Sequence, residues 1–123
     1  MKNDKEKFKT EFKRRMYQWT LKLVKAIDEI SKNTSAQIMA KQVLRSGTSI
    51  CANYIEAQCA SSKKDFANFL HHSLKSANES KFWLALMRDT GKLNKKTAED
   101  LLSELHQLSN VLGASLLTVK GKR

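Results

Sequence analysis

Hydrophobic side chains recur at intervals of three and four residues along most of the chain. From Phe8 to Ile30, seven apolar positions are spaced 4, 4, 3, 4, 4 and 3 residues apart, which is a heptad seam. Comparable seams run through residues 36–57, 66–87 and 98–119. Because an α-helix has 3.6 residues per turn, the pattern predicts four amphipathic helices, at about residues 4–30, 35–60, 63–90 and 94–119.

Polar segments separate the seams and carry helix-end signals. Ser31–Ser35 offers several N-caps, Ser62 with Asp65 resembles a capping box, Gly91 suits a helix C-terminus and Asn94 can cap the fourth helix. The chain contains no proline. Four helices of about 25 residues with short links predict an all-α fold, an antiparallel up-down-up-down four-helix bundle. We expect residues 1–123 to form a single domain.

The second predicted helix has the most unusual surface. Its inner stripe consists mostly of small residues, including Gly47, which predicts close packing and a central place in the bundle. A polar stripe lies opposite, flanked by apolar residues such as Ile38 and Ile55. One interpretation is a solvated outer face. The other is a subunit interface in which Arg45 of one chain reaches Glu56 of a neighbour. The candidate interface residues are Lys41, Arg45, Ser49, Asn53 and Glu56.

The formal net charge of +11, from 23 Lys and Arg against 12 Asp and Glu, favours a polyanionic partner such as RNA or DNA. The alternative is that the charge only keeps the protein soluble. We expect no aromatic residue interleaved with the basic residues to stack bases. Binding is then weakly sequence-selective and strongly salt-dependent. The candidate nucleic-acid-binding residues are Lys5, Lys9, Lys13, Arg14, Arg15, Lys63, Lys64, Lys122 and Arg123.

No other chemistry emerges from the residue pattern. Cys51 and Cys59 would be about 12 Å apart on one helix, too far for a disulfide, which indicates reduced thiols and a cytoplasmic protein. His71 and His72 diverge by about 100° on a helix, so they do not predict a metal site. No nucleophile elbow or phosphate loop occurs, and we expect neither an enzyme nor a cofactor. The longest apolar run is too short to span a membrane.

The second helix also carries a family signature. Val43–Ile50, followed by Ala52–Ala57, resembles the pattern L-R-x-x-x-S-I-x-x-N-x-x-E of bacterial four-helix-bundle proteins that are encoded by intervening sequences in large-subunit ribosomal RNA genes. Ala77-Asn78-Glu79 with Trp83-Leu84 resembles the third helix of that family, as does Asp65-Phe66. The resemblance covers about residues 10–118, and Cys51 and Gln58 depart from the usual residues.

The resemblance implies a function by analogy. This family is similar in fold to the accessory variability protein of diversity-generating retroelements, a basic pentamer that binds nucleic acid and a reverse transcriptase. It therefore implies a homo-oligomer, a pentamer, with affinity for nucleic acid and no enzymatic activity. Two functions follow. One is a nucleic-acid-binding oligomer, and the other is a scaffold or accessory subunit that docks a nucleic-acid-processing partner such as a reverse transcriptase.

Overall fold

The computed structural model describes residues 3–121. This part of the chain contains helices α1 (Asp4–Asp28), α2 (Thr34–Gln58), α3 (Lys63–Asp89) and α4 (Lys95–Val119), and no strand. Every helix end lies within two residues of its predicted position. The four helices in the described residues confirm the all-α prediction. The spacing of the hydrophobic residues, together with the polar helix-end signals, was sufficient to locate each helix.

All four helices begin at a polar side chain that accepts a hydrogen bond from a backbone N–H three residues later. The N-caps are Asn3, Asn33, Ser62 and Asn94, with distances of 2.8–3.1 Å. These bonds satisfy donors that a helix N-terminus leaves without an intrahelical acceptor. After α3, Gly91 has a φ of 72°, the left-handed conformation expected of a glycine that follows a helix.

The helices pack as an antiparallel four-helix bundle. Each helix contacts its neighbours in sequence, and α1 contacts α4, which closes the bundle. The antiparallel register is visible where Phe12 meets Tyr54 across α1 and α2, and where Trp19 meets Leu101 across α1 and α4. The contact between α2 and α3 is the most extensive and that between α1 and α4 the least. The prediction that α2 is central is wrong, since α2 lies at one corner like the other helices.

The core is continuous from end to end and is filled mainly by leucine. Trp19 is its largest side chain, 2% exposed, and its indole N–H donates to the backbone oxygen of Leu101 at 2.9 Å. A buried indole needs such an acceptor to avoid an unsatisfied donor. The other large, fully buried side chains are Met16, Leu23, Ile50, Leu70, Leu84, Met87, Leu105, Leu108 and Leu112.

Small residues let α2 approach both of its neighbours. A Cβ atom on Gly47 would lie well inside van der Waals contact of Leu23 Cδ2 on α1. On the side of α3, the buried hydroxyls of Ser46 and Ser80 lie 2.8 Å apart. The Ser73 hydroxyl donates to the backbone oxygen of Ile50 at 2.7 Å. These bonds pair the polar atoms that the close contact buries.

Phe8 departs from the predicted seam. It is 52% exposed, although every later aromatic or aliphatic member of the α1 seam is largely buried. The reason is its position, because the first turns of α1 lie at the end of the bundle. There its ring stacks on Phe12, with centroids 5.9 Å apart and planes 9° from parallel. Phe12 in turn meets Tyr54 edge to face at 5.2 Å.

Candidate functional site

The antiparallel topology brings two of the predicted basic segments together, with Lys120 beside them. The start of α1, the start of α3 and the end of α4 all lie at one end of the bundle. We call this surface the basic end and define it by Lys5, Lys9, Lys63, Lys64 and Lys120. Lys5 and Lys64 are far apart in sequence, and only the bundle places them on the same surface. The predicted residues Lys122 and Arg123 lie outside the described residues.

The two predicted arginines of α1 are already engaged within the chain. Arg14 pairs with Glu11 on the same helix, and this pairing lowers the pKa of the Glu11 carboxyl. Arg15 makes a two-pronged bond to Glu104 of α4, at 3.1 and 2.7 Å, and also donates to Gln107 at 3.1 Å. Bidentate geometry of this kind is specific and charge-assisted. Arg15 therefore links α1 to α4, and its positive charge is largely offset by the Glu104 carboxylate.

Lys5, Lys9 and Lys13 differ from these arginines. None of the three forms an ion pair with any residue in the described range 3–121. Lys5 and Lys13 are exposed, and Lys9 is half-buried. Their ammonium groups remain available to a polyanion, as do those of Lys63 and Lys64, which are exposed and form no ion pair within the described residues.

A groove runs along the thin seam between α1 and α4, beside the Arg15–Glu104 pair. Its volume is about 440 Å³. Trp19, Ala26 and Leu101 contribute apolar surface, while charged side chains of both signs form its rims. Sequence reasoning missed this groove, because it depends on how α1 pairs with a helix that is distant in sequence. The charged lining residues are Arg14, Arg15, Lys22, Lys25, Glu29, Asp100 and Glu104.

The predicted polar stripe of α2 follows the outer side of that helix. Lys41, Arg45 and Glu56 are exposed, whereas Ser49 and Asn53 are half-buried. The Ser49 hydroxyl donates to the backbone oxygen of Arg45 at 2.9 Å, and the Asn53 amide donates to that of Ser49 at 2.9 Å. These donors are satisfied by the helix itself, which lowers the cost of covering the stripe with another molecule.

Arg45 finds a partner within its own chain. Its guanidinium pairs with Glu79 of α3 and donates to Gln42 at 2.9 Å. Glu79 also accepts the indole N–H of Trp83 at 3.0 Å. The Trp83 bond and then the Arg45 bond lower the pKa of the Glu79 carboxyl. Glu79 therefore connects α3 to α2 through its ion pair with Arg45. Within the described part of the chain, Glu56 has no ion-pair partner.

Exposed apolar side chains flank this Arg45–Glu79 network. Ile38 on α2 and Phe82 on α3 are each 57% exposed, and Ile55 is 45% exposed. Phe82 lies against Trp83, with ring centroids 4.9 Å apart. We call this surface the α2/α3 face and define it by Ile38, Arg45, Glu79, Phe82 and Trp83. The Glu79–Trp83 spacing of four residues was a sequence signal for the network, but the partner helix was not predictable from it.

The described residues contain neither a metal-binding cluster nor a membrane-spanning helix. Among residues 3–121, no three His, Cys, Asp or Glu side chains come close enough to hold a metal ion. Burial raises the pKa of the Cys51 thiol, while Cys59 is exposed. In the same range, none of the helices is apolar over the length that a bilayer crossing requires.

A family model described as 23S rRNA-intervening sequence protein matches residues 12–114. The chain belongs to the 23S rRNA-intervening sequence protein family. The crystal structure of a protein of unknown function from Bacteroides thetaiotaomicron VPI-5482, described as of the S23 ribosomal protein family, is similar. The two share 32% sequence identity with a TM-score of 0.77, over 85% of this chain and 97% of the other. No curated protein is significantly similar to this chain.

The match to the 23S rRNA-intervening sequence protein family covers one candidate surface better than the other. The whole α2/α3 face lies inside the matched residues 12–114, whereas Lys5, Phe8 and Lys9 precede them. The structural relative is of unknown function, so the comparison shows fold and family and assigns no activity.

Proposed function

We propose that this chain is a non-enzymatic, basic, homo-oligomeric protein of the cytoplasm that binds RNA or DNA with low sequence selectivity. The observation that carries the proposal is the convergence of lysines at the basic end, on top of a formal net charge of +11. Exposed lysines neutralise phosphates, and counterion release then drives association. Both cysteines are unbridged, which agrees with a reducing compartment.

Low selectivity follows from the kind of contact available. Phosphate contacts position a nucleic acid but do not read its bases. Lysine acts as a flexible point charge, which makes it less specific than a fork-shaped guanidinium. The arginines next to the basic end are held by Glu11 and Glu104. Assembly into an oligomer would repeat the basic end once in each copy and strengthen binding through multivalency.

Replacing Lys5, Lys9, Lys63 and Lys64 by glutamine is expected to weaken nucleic-acid binding strongly. A plot of log affinity against log salt should become shallower by about three, because each lost phosphate contact removes about 0.7–0.9 from the slope. Fluorescence anisotropy with a labelled RNA at several salt concentrations measures both quantities. The matched control replaces four lysines at the opposite end of the bundle, namely Lys25, Lys32, Lys92 and Lys95.

The control variant removes the same charge from the same fold. We expect it to retain most of the affinity and nearly the whole slope. Equal losses in the two variants would show that net charge, and not the basic end, governs binding. Wild-type affinity that does not change with salt would contradict phosphate neutralisation itself.

Self-assembly is proposed to use the α2/α3 face. Its apolar side chains Ile38 and Phe82 are more than half exposed, and burying them would contribute to association. The central Arg45–Glu79 pair would set the register between copies. The proposed interface would bury apolar side chains around a single ion pair, and protein interfaces generally contain few charged residues at their core.

Arg45→Glu is expected to reduce the mass of the protein in analytical ultracentrifugation. The substituted carboxylate would face Glu79 in its own chain and, in the proposed assembly, Glu56 of a neighbour. A mass identical to that of the wild type would sink the proposed interface. The double variant Arg45→Glu/Glu79→Arg rebuilds the intramolecular pair in reverse. Recovery of the full mass in that variant would show that Arg45 acts only through Glu79.

A protein-docking role is the second candidate, and the exposed rings of the α2/α3 face favour it. Phe82 and Trp83 form an edge-to-face pair, and aromatic residues are enriched in protein interfaces. In this function the α2/α3 face binds a nucleic-acid-processing protein, for example a reverse transcriptase, in place of a second copy. Purification with and without nuclease separates the two functions. Bound RNA favours the first, and a stoichiometric protein partner that survives nuclease favours the second.

A further inference from the structure

The basic end contains one exposed aromatic ring. Phe8 lies between Lys5 and Lys9 in the first turns of α1, and more than half of its surface is accessible. Covering this ring with a ligand would remove its apolar surface from water and favour binding. A purely apolar partner would cover the charged side chains beside the ring without pairing them, which costs free energy. The ligand of the ring is therefore expected to carry charge as well as an apolar face.

The ring is held in a defined orientation. One of its faces stacks on Phe12, nearly parallel at 5.9 Å, and Phe12 is fixed by the edge-to-face contact with Tyr54. Phe12 and Tyr54 are both buried, at 3% and 4% exposure. The Phe8 ring is therefore the outermost member of a series of three aromatic rings that is anchored in the core, and about half of the residue remains exposed to solvent.

The charges around the ring favour an anionic ligand. Lys5 lies one turn before Phe8 on the same side of α1, and Lys9 follows it directly. The same turns also carry Lys7 and the acidic residues Asp4, Glu6 and Glu11, of which Glu11 is paired with Arg14. The start of α3 adds two lysines to the same end of the bundle. A flat apolar face with lysines beside it and at the same end of the bundle matches a nucleotide, which combines a planar base with a phosphate.

We propose that Phe8 is a stacking platform for an unpaired base, so that the basic end binds single-stranded nucleic acid in preference to duplex. The inference rests on the proposed function and names its substrate class. Single-strand binding commonly combines a basic surface with aromatic rings on which bases stack. A base inside a duplex is already stacked on both faces and cannot reach the ring without disruption of the helix.

The test compares Phe8→Ala, Phe8→Leu and Phe8→Trp on a labelled oligothymidylate and on a hairpin duplex of equal length. We expect Phe8→Ala and Phe8→Leu to weaken single-strand binding by at least about five-fold, the lower bound for loss of one stacked base. Phe8→Trp, which keeps an aromatic face, should bind like the wild type. Duplex affinity and the salt slope should not change, because Phe8 carries no charge.

Tyr17→Ala is the matched control, since Tyr17 is 56% exposed on the same helix but belongs neither to the basic end nor to the α2/α3 face. It should leave single-strand affinity unchanged. Circular dichroism confirms that each variant is folded, which is expected for substitutions at exposed positions. An oligothymidylate with abasic sites is a second probe, and the difference between wild type and Phe8→Ala should vanish on it.

The outcomes separate this inference from the proposed function. If the wild type binds neither single strand nor duplex, the proposed function fails. If it binds both equally and Phe8→Ala has no effect, only the stacking inference is overturned. If Phe8→Ala loses affinity together with solution mass, Phe8 serves a contact between protein chains and the stacking inference is again overturned.

Discussion

Trp19→Ala is expected to lower the free energy of unfolding by about 3–5 kcal/mol, the range for a large aromatic side chain removed from a core. Trp19 is the largest of the fully buried side chains, and its indole bonds to the backbone of Leu101. The α1–α4 seam is the thinnest contact in the bundle, so few other side chains could compensate for the cavity. Urea denaturation at one fixed protein concentration, followed by circular dichroism, measures the loss.

Trp83→Ala provides the matched control. Trp83 is only partly buried and bonds through its indole to the exposed carboxylate of Glu79. We expect this variant to lose about 1–2 kcal/mol, closer to the average for point mutations. Losses of equal size at the two tryptophans would contradict the view that Trp19 holds α1 against α4. Equal losses would instead show that Trp83, at the edge of the α2–α3 contact, stabilises the bundle as much as Trp19 does.

Gly47→Leu is expected to destabilise the bundle by about 3 kcal/mol, at the upper end of the usual cost of overpacking. Even a single added methyl group would collide with Leu23 Cδ2 and touch the Trp19 ring at 3.5 Å. Both neighbours are buried in the core and cannot move away without displacing others. The α1–α2 distance must then increase. Thermal or urea denaturation measures the effect.

Gly113→Ala should act in the opposite direction. Gly113 is also within a helix, but a Cβ atom there would meet nothing within 4 Å. Alanine is more favourable than glycine in a helix interior by about 1 kcal/mol, so this variant should gain stability. If Gly47→Leu proved harmless, the close approach of α1 and α2 would not depend on the absence of a side chain at position 47.

The two proposed surfaces lie on different parts of the molecule and can operate together. The basic end is formed by helix termini, whereas the α2/α3 face follows the sides of two helices. Assembly through the sides leaves the ends accessible. In the proposed assembly, each added copy would contribute another basic end to the same nucleic acid, which would raise the effective local concentration of binding sites.

Much of the fold was predictable because its signals are local. Heptad spacing located the four helices, and Ser62 and Asn94 were recognised as N-caps from their side chains alone. The signature around Arg45 indicated the family that the match over residues 12–114 shows. Exposed lysines such as Lys5 were also identifiable from the sequence, because a lysine side chain is seldom buried. Their meeting at one end of the bundle required the antiparallel order of the helices.

Sequence by itself determined the helices, the caps of α3 and α4, the family and the basic charge of this protein, because the first three depend on residues that are neighbours along the chain and the last on composition. Only the tertiary structure decided the partner of Arg45, since Glu79 belongs to another helix. It also decided that Phe8, a regular member of the α1 seam, is exposed, because a heptad pattern does not show where the covering helices end. A seam predicts which side of a helix is apolar, and the length and register of its neighbours determine how much of that side is buried.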